Sequence, residues 1–298
     1  MAMNAKYIIK YAVFLLFGIV LIQSCTDKMD FGEQYKRTIY MVNSNNLLYQ
    51  TAHHYGEENT AVFSVYCASS KPITEDVVVQ LMFDPHSLDS LNGIRSLSDP
   101  DYTLRQLLPE DHFELPANLS VTIRAGSQYG TIAIPIHTDD LDPFKHYALP
   151  ITIVSNSSGH VTNPQLRSII YEPVMVNGYS GDYTGVSAES ETVARTIQPR
   201  LKALSANTVL MPIHNLSGDM KNLETNFMML TIAADSVAVA IAPRGDAEVI
   251  DLGGSHYDRE RQHFELHYQF TDSSGKTFTI RENISNVNAQ VSEDDELL

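Results

Sequence analysis

Apolar and polar residues alternate along most of the chain after residue 35. Every second residue is apolar within the segments 77–83, 119–123, 132–136 and 149–153. A period of two is typical of antiparallel strands that place one face on a core and the other toward water. The pattern therefore predicts an all-β protein. Pro135 cannot donate a hydrogen bond to a ladder, so its strand is expected at a sheet edge or at a bulge.

The alternation stops at residues 175–181, where Asn177, Gly178 and Gly181 interrupt it. Such residues mark turns and loops. The alternation resumes at residues 209–213, 228–232, 237–241 and 264–270. A chain of 298 residues is long enough for two ordinary domains. We therefore expect one β domain at residues 35–176 and a second, compact antiparallel β-barrel or sandwich at residues 177–286.

Two segments lie outside the strand pattern. One short helix is predicted at residues 101–108, with Asp99 or Asp101 available as its N-cap. The tail at residues 287–298 carries a run of acidic side chains. Charged chain ends are usually solvated, so no packed structure is expected there.

The N-terminus has the features of a signal peptide. Lys6 and Lys10 precede an apolar run at residues 11–22, which is shorter than the roughly 20 residues that span a bilayer. The segment Ile22-Gln23-Ser24 before Cys25 resembles the lipobox of bacterial lipoproteins, although Gln23 is unusual there. We therefore predict a lipoprotein signal peptide at residues 1–24, lipidation of Cys25 and a lipidated tether at residues 25–34. The alternative is an uncleaved membrane anchor with an incidental cysteine.

Charge and cysteine content narrow the functional classes. The formal net charge of −16 argues against nucleic acid and anionic lipid surfaces as partners, because both would be repelled. Cys25 and Cys67 are the two cysteines of the chain, so a lipidated Cys25 leaves no intramolecular disulfide. Cys67 shares a predicted strand face with Phe63 and Val65, which favours a core thiol over a reactive one.

Four motifs occur in order in the first half of the chain. They are Leu88-Asp89 with Asn92, Leu-Leu-Pro-Glu-Asp-His-Phe-Glu-Leu at 107–115, Val-Thr-Ile-Arg-Ala-Gly at 121–126 and Tyr-Ala-Leu-Pro-Ile at 147–151. This series resembles the N-terminal Ig-like domain of unknown function in surface lipoproteins of Bacteroidota polysaccharide-utilisation loci. The second half, from Gly-Tyr-Ser-Gly-Asp-Tyr-Thr-Gly at 178–185 to Phe-Glu-Leu-His-Tyr at 264–268, is similar to the C-terminal domain often paired with it.

The resemblance implies an Ig-like β-sandwich at residues 35–176 and a lipid-anchored position on the outer membrane, exposed at the cell surface. It further implies glycan binding, for capture and import beside a TonB-dependent transporter and its substrate-capturing lipoprotein. Two alternatives stay open at this point. The first alternative to glycan binding is an accessory subunit of the transporter complex that does not contact the ligand. The second is an adhesin.

A glycan site normally offers aromatic rings, on which the C–H faces of sugars pack. Trp is absent, and the chain contains 15 Tyr. Tyrosines in loop-like segments are expected to face solvent, whereas Tyr66 and Tyr268 are expected in the core. The loop-like set is Tyr49, Tyr55, Tyr179, Tyr183 and Tyr257. We name His256, Tyr257 and Arg259 as candidate ligand-binding residues, because they lie in a polar segment after Gly253 and Gly254. The alternative for this segment is an ordinary hairpin connection.

Catalytic and metal-binding signatures are weak. His263, Glu265 and His267 would share one strand face, but successive residues of that face are about 6.6 Å apart and converge poorly on one ion. A solvated outer face is the favoured interpretation, and neither a metal nor a cofactor is expected. The chain has no His-Glu-x-x-His, no Gly-x-Ser-x-Gly and no phosphate-binding glycine loop. A non-catalytic protein is therefore predicted, with a glycoside hydrolase as the minority alternative.

Overall fold

A computed structural model describes residues 36–138, 140–189 and 193–289 of the chain. The predicted signal peptide, Cys25 and the tether to residue 34 lie outside the described residues, as does the tail from residue 290. No helix within the described ranges is long and apolar enough to cross a membrane. The described chain folds as two all-β domains, which confirms the predicted fold class.

The first domain is a β-sandwich. Its elements are β1 (Thr38–Met41), β2 (Leu48–His54), β3 (Asn59–Ala68), β4 (Val77–Phe83), α1 (Pro85–Ser98), β5 (Arg105–Leu107), β6 (Ser120–Ile123), β7 (Tyr129–Ile136), β8 (His146–Asn156), β9 (Val161–Thr162) and β10 (Ser168–Val176). One sheet has the order β7-β3-β1-β9. The other has the order β2-β10-β8-β4-β6, with β5 paired to β8.

Alternating side chains of the two sheets fill the core of the sandwich. Phe63, Val65 and Cys67 of β3 are buried in one row, as predicted for a core thiol. They face side chains of the other sheet such as Val79 and Ile151. β7 lies at the edge of its sheet, which confirms the position expected from Pro135.

The predicted helix at residues 101–108 is wrong. The helix α1 instead begins at Pro85, whose fixed φ suits the first helical position. It ends before Asp99, which is therefore a C-terminal cap rather than the start of a helix. Residues 105–107 form β5, an extended strand that pairs in parallel with β8.

The helix α1 covers the outer face of the second sheet. Leu88 and Leu91, one turn apart, pack against Ala148 of β8 and Ile170 of β10. β8 is consequently buried on both faces over residues 148–153. The expectation that this strand turns one face toward water is therefore wrong, because a helix takes the place of solvent.

The second domain is a nearly closed β-barrel. Its elements are β11 (Gly181–Ala188), β12 (Ala194–Ile197), β13 (Arg200–Ser205), β14 (Thr208–Pro212), α2 (Leu223–Asn226), β15 (Phe227–Ile232), β16 (Val239–Pro243), β17 (Val249–Asp251), β18 (His256–Asp258), β19 (His263–Thr271) and β20 (Thr277–Asn286). The strand order is β16-β15-β14-β13-β11-β20-β19-β17, with β12 paired to β11 and β18 paired to β19. Between β16 and β17, the Asp251 carboxylate accepts a hydrogen bond from the Ile241 amide at 2.9 Å.

The barrel interior contains a buried acid among apolar side chains. Glu282 lies between Ile280 and Ile284 on the inward face of β20 and is 1% exposed. Its Oε1 accepts hydrogen bonds from the Tyr268 hydroxyl at 2.9 Å and from the Ser187 hydroxyl at 2.7 Å. Its Oε2 has no hydrogen-bond partner within the described part of the chain. Burial raises the pKa of Glu282 to about 7, although these two hydrogen bonds oppose the shift.

A close backbone approach beside this acid requires glycine. Gly185 of β11 pairs with Ile284 of β20. A Cβ atom at residue 185 would collide with the backbone of Asn283 and Ile284. The two strands can therefore approach this closely because residue 185 carries no side chain.

The Asn177 side chain joins the two domains. The Asn177 carboxamide, directly after β10, donates hydrogen bonds to the carbonyl oxygens of Ser205 at 2.7 Å and Thr208 at 3.0 Å. Its Oδ1 accepts from the Tyr179 amide at 2.9 Å. The carboxamide therefore fixes the end of the sandwich to the hairpin between β13 and β14.

A ring and two cations form a second contact between the domains. Phe144 belongs to the sandwich, and both cations belong to the barrel. The Lys202 ammonium lies 5.2 Å from the centre of the Phe144 ring, and the Arg244 guanidinium lies 5.1 Å from it. Cation–π contacts of this kind add to the hydrogen bonds of Asn177.

Replacing Asn177 with Ala should loosen the two domains. The change removes the Asn177 donor from the Ser205 and Thr208 carbonyls, which costs about 1–3 kcal/mol of unfolding free energy. Urea unfolding and small-angle scattering of the folded protein measure the two effects. Asn207→Ala is the control, because Asn207 donates to the Ile232 carbonyl within the barrel. It should lower stability without changing the scattering profile. An unchanged profile and stability for Asn177→Ala would contradict the assignment.

The buried Glu282 should make stability depend on pH. The pKa of Glu282 is raised in the folded state, so its contribution is present below its ordinary pKa of 4.5 and is lost as pH rises through about 7. The full loss is about 3 kcal/mol. The urea midpoint of the wild type should therefore be lower at about pH 8 than at about pH 5. The difference between the two midpoints should be smaller for Glu282→Gln. Glu265→Gln, at an exposed position of β19, should keep the wild-type difference. Equal pH dependence of wild type and Glu282→Gln would refute the assignment.

Candidate functional site

A cleft of about 630 Å³ opens between the two domains. The sandwich contributes β2, β10 and the segment 141–147, and the barrel contributes β13 and residues near α2. Asn177 lies in its wall, so the joint between the domains is also part of the cleft. The volume falls within the roughly 300–1,000 Å³ that is usual for small-molecule sites.

A buried ion cluster supports the sandwich wall of the cleft. Glu172 of β10 is 2% exposed, and its Oε2 accepts a hydrogen bond from Arg105 Nε at 2.8 Å. Its Oε1 lies 2.5 Å from His146 Nδ1. Burial alone would raise the pKa of Glu172, but the hydrogen bonds from His146 and Arg105, with their charge, hold it below its usual value. The acid is therefore a fixed negative charge with both oxygens occupied.

Strand register brings the three groups together. The parallel pairing of β5 with β8 places Arg105 opposite His146. The parallel pairing of β2 with β10 places Gln50 beside Glu172 and His54 beside Val176. A row of polar groups from three strands thus faces the cleft. These residues are not among those predicted from the sequence. A usable signal was present, since Glu172 interrupts an otherwise apolar strand.

The remaining lining combines apolar surface with hydrogen-bonding groups. Apolar contact surface comes from Pro143, Tyr147, Val174 and Met220. Gln50 and His54 are exposed at the sandwich side, and Arg200 and Lys202 of β13 lie at the barrel side. Such a mixture suits a ligand with both apolar and hydroxyl-bearing faces. Both lining carboxylates are occupied, because Asp142 Oδ1 accepts from the Phe144 amide at 2.9 Å.

The predicted ligand-binding residues lie elsewhere. His256, Tyr257 and Arg259 line an open depression of about 590 Å³ on the barrel, together with residues 234–237. The Tyr257 side chain is 3% exposed and packs on Phe264 at 4.5 Å between ring centres. The expectation that this ring faces solvent is wrong, because Tyr257 lies on β18 with its side chain in the barrel core. A binding role for the three residues stays a prediction.

The other tyrosines considered above are buried or half-buried. Tyr183 is 1% exposed and also lies in the core, contrary to expectation, whereas Tyr268 is buried as predicted. Tyr49, Tyr55, Tyr66 and Tyr179 are half-buried. The structure therefore assembles no exposed tyrosine platform from this set. The partly buried Tyr147, which the sequence analysis did not single out, is the tyrosine that lines the cleft.

The row of His263, Glu265 and His267 lies on the outer face of β19. Nδ1 of His263 lies 2.8 Å from the Ser285 hydroxyl, and Glu265 faces His256 at 3.5 Å. Within residues 36–138, 140–189 and 193–289, no group of three His, Cys, Asp or Glu is placed to hold a metal ion.

Comparisons with known proteins agree with the two-domain architecture. One family model, of an N-terminal domain, matches residues 34–160, and a second, of a C-terminal domain, matches residues 167–285. No curated protein matches the sequence of the chain.

Solved structures from Bacteroides share the fold. A protein of unknown function from Bacteroides ovatus is 19% identical, with a TM-score of 0.58 and coverage of 87% of this chain and 98% of that one. A multidomain protein including DUF1735, also from B. ovatus, is 20% identical, with a TM-score of 0.56 and coverage of 88% and 99%.

A third similar structure has a functional description. It is an auxiliary nutrient binding protein from Bacteroides thetaiotaomicron, 16% identical, with a TM-score of 0.52 and coverage of 81% of this chain and 90% of that one. The two family matches together cover most of the chain. The chain belongs to a family of two-domain, all-β proteins of Bacteroidota, built from this N-terminal and this C-terminal domain.

Proposed function

We propose that the protein is a non-catalytic, lipid-anchored protein of the outer-membrane surface that binds a glycan in the cleft between its two domains. The observation that carries the proposal is the cleft itself, a cavity of about 630 Å³ with a rigid polar wall. The similar structure described as an auxiliary nutrient binding protein supports a role in nutrient capture.

The lining of the cleft matches the chemistry of a saccharide. Sugar rings have apolar C–H faces, which can pack on Tyr147, Pro143 and Met220. Their hydroxyl groups need donors and acceptors, which Gln50 and His54 offer at the rim. Because Asn177 and the Glu172 cluster hold the walls in place, little conformational entropy would be lost on binding.

The contacts made by Glu172 and Asp142, the two carboxylates that line the cleft, support a non-catalytic role. Glycoside hydrolysis requires one carboxylic acid that carries a proton and a second carboxylate beside it. The hydrogen bonds of Arg105 and His146 lower the pKa of Glu172 and favour its charged form. Asp142 is held by the Phe144 amide and by Lys145 at 3.8 Å. Glu172 is therefore not prepared to donate a proton to a glycosidic oxygen.

The proposed location rests on the sequence around Cys25. A lipidated Cys25 would hold the protein on the membrane by several acyl chains, each contributing about 0.8 kcal/mol per buried CH₂. On the outer surface, the cleft would take glycan from the medium and pass it to a TonB-dependent transporter with its substrate-capturing lipoprotein.

Affinity electrophoresis against plant, host and microbial glycans tests the binding function. At least one glycan should retard the protein. The double variant Gln50→Ala/His54→Ala should weaken its binding about thirtyfold, because each change removes a hydrogen bond of about 1 kcal/mol. Both residues are exposed, so the fold should tolerate the changes.

The matched control is His256→Ala/Arg259→Ala, which alters the depression on the barrel. It should leave glycan binding unchanged if the cleft is the site. Weakening by this control alone would instead place the site at residues 256–259. If no glycan retards the protein and it co-purifies in fixed ratio with a transporter, the accessory-subunit alternative replaces glycan binding.

Cys25→Ala should abolish lipid attachment. Without the thiol, no acyl chain can be added at residue 25, so labelled palmitate should enter the wild type and not the variant. Cys67→Ala is the control, because Cys67 is buried in the sandwich core and should not affect labelling. Surface proteolysis of intact cells then reports whether the wild-type protein faces outward. Labelling of Cys25→Ala at the wild-type level would disprove the anchor.

A further inference from the structure

The cleft differs in charge from the rest of the protein. The whole chain has a net charge of −16. The cleft is lined by three cationic side chains, Lys145, Arg200 and Lys202, and by two acidic ones, Asp142 and Glu172. His54 and His146 add groups that can become cationic but not anionic. A small positive region is thus set in an acidic surface.

Most of these charges are already compensated within the protein. Glu172 is paired with Arg105 and His146, and Asp142 lies 3.8 Å from Lys145. Arg200 lies 3.7 Å from Asp182, with both side chains largely exposed. The lining acids therefore have their own partners and leave no negative charge to pair with a further cation.

Lys202 has no such partner. Among the described residues, no carboxylate lies within ion-pairing distance of its ammonium, which instead lies over the Phe144 ring at 5.2 Å. Burial lowers the pKa of Lys202, and the more distant Asp142 only partly opposes this. Lys202 lines the cleft, and its half-buried ammonium would gain from an anion in the cleft that can reach it, since such a charge is poorly screened by solvent.

We propose that the cleft selects a saccharide with an anionic substituent, a carboxylate or a sulfate ester, which pairs with Lys202. The inference rests on the proposed function and adds the charge class of the glycan. The anion would lie over the barrel wall at β13, while the sugar ring packs on Tyr147 and Pro143 and its hydroxyls face Gln50 and His54. Arg200, on the same face of β13, would add a second, more exposed cation.

Titration calorimetry with a matched pair of ligands tests the proposal. The probes are a uronic-acid oligosaccharide and the same oligosaccharide after carboxyl reduction, with a sulfated oligosaccharide as a third ligand. The acidic form should bind at least about tenfold more tightly than the reduced form, because a charge-assisted contact is lost on reduction. Its affinity should fall as salt is added. A response to the sulfated ligand alone would assign the anion as sulfate.

Lys202→Met should remove the preference for the acidic form while keeping the binding of the reduced one. Arg244→Met is the matched control, because Arg244 lies over the same Phe144 ring but does not line the cleft. It should weaken the contact between the domains to a similar degree and retain the preference. Equal affinity for acidic and reduced forms, with no effect of Lys202→Met, would overturn the charge selectivity and leave glycan binding intact. Absence of binding to every oligosaccharide would instead overturn the proposed function.

Discussion

The hydrogen bonds from the Asn177 carboxamide to the Ser205 and Thr208 carbonyls are the interaction on which the arrangement of the protein depends. β10 ends one residue earlier, so the strand that carries Glu172 is attached directly to the barrel. Domains of one chain are otherwise expected to move relative to each other, and the further contacts here include an exposed ion pair between Asp101 and Lys221 and the two cations over Phe144. Because the carboxamide is buried, breaking its hydrogen bonds would leave the amide group itself unpaired, and this cost opposes movement of the cleft walls.

Each domain contains a buried acid, and the two are stabilised in opposite ways. Glu172 has a partner on each oxygen, one of them an arginine, and remains charged beside the cleft. Glu282 has hydroxyl donors on one oxygen and no partner on the other within the described chain. The first acid therefore fixes a wall of the cleft. The second makes the barrel sensitive to protonation without contributing to the cleft.

The strands were predictable because a local pattern encodes them. Phe264 and Leu266 of β19 alternate with polar residues, and the barrel places that alternating face inward. The helix α1 was missed although Asp84-Pro85 and the spacing of Leu88 and Leu91 carry its signals, because most of its other residues are polar or small. Tyr257 was misplaced because two glycines and a polar segment hide a strand of three residues.

The cleft could not be predicted from such patterns. Arg105 and Glu172 are 67 residues apart, and only the pairing of β5, β8 and β10 brings them together. Lys202 shares its strand face with Arg200 and Leu204, and its position over Phe144 depends on how the two domains meet. Sites formed between domains depend on long-range geometry, whereas alternation reports only which face of a strand is buried.

The closure of the barrel has a consequence for how the fold comes apart. No continuous backbone ladder joins β16 to β17. The Asp251 carboxylate accepts from the Ile241 amide, and backbone hydrogen bonds join Val237 and Val239 to Tyr257 and Ser255. Local opening free energies are lowest where few backbone pairs hold neighbouring segments. The barrel should therefore open first along this seam, while β16 keeps its ladder with β15 and β19 keeps its ladder with β20.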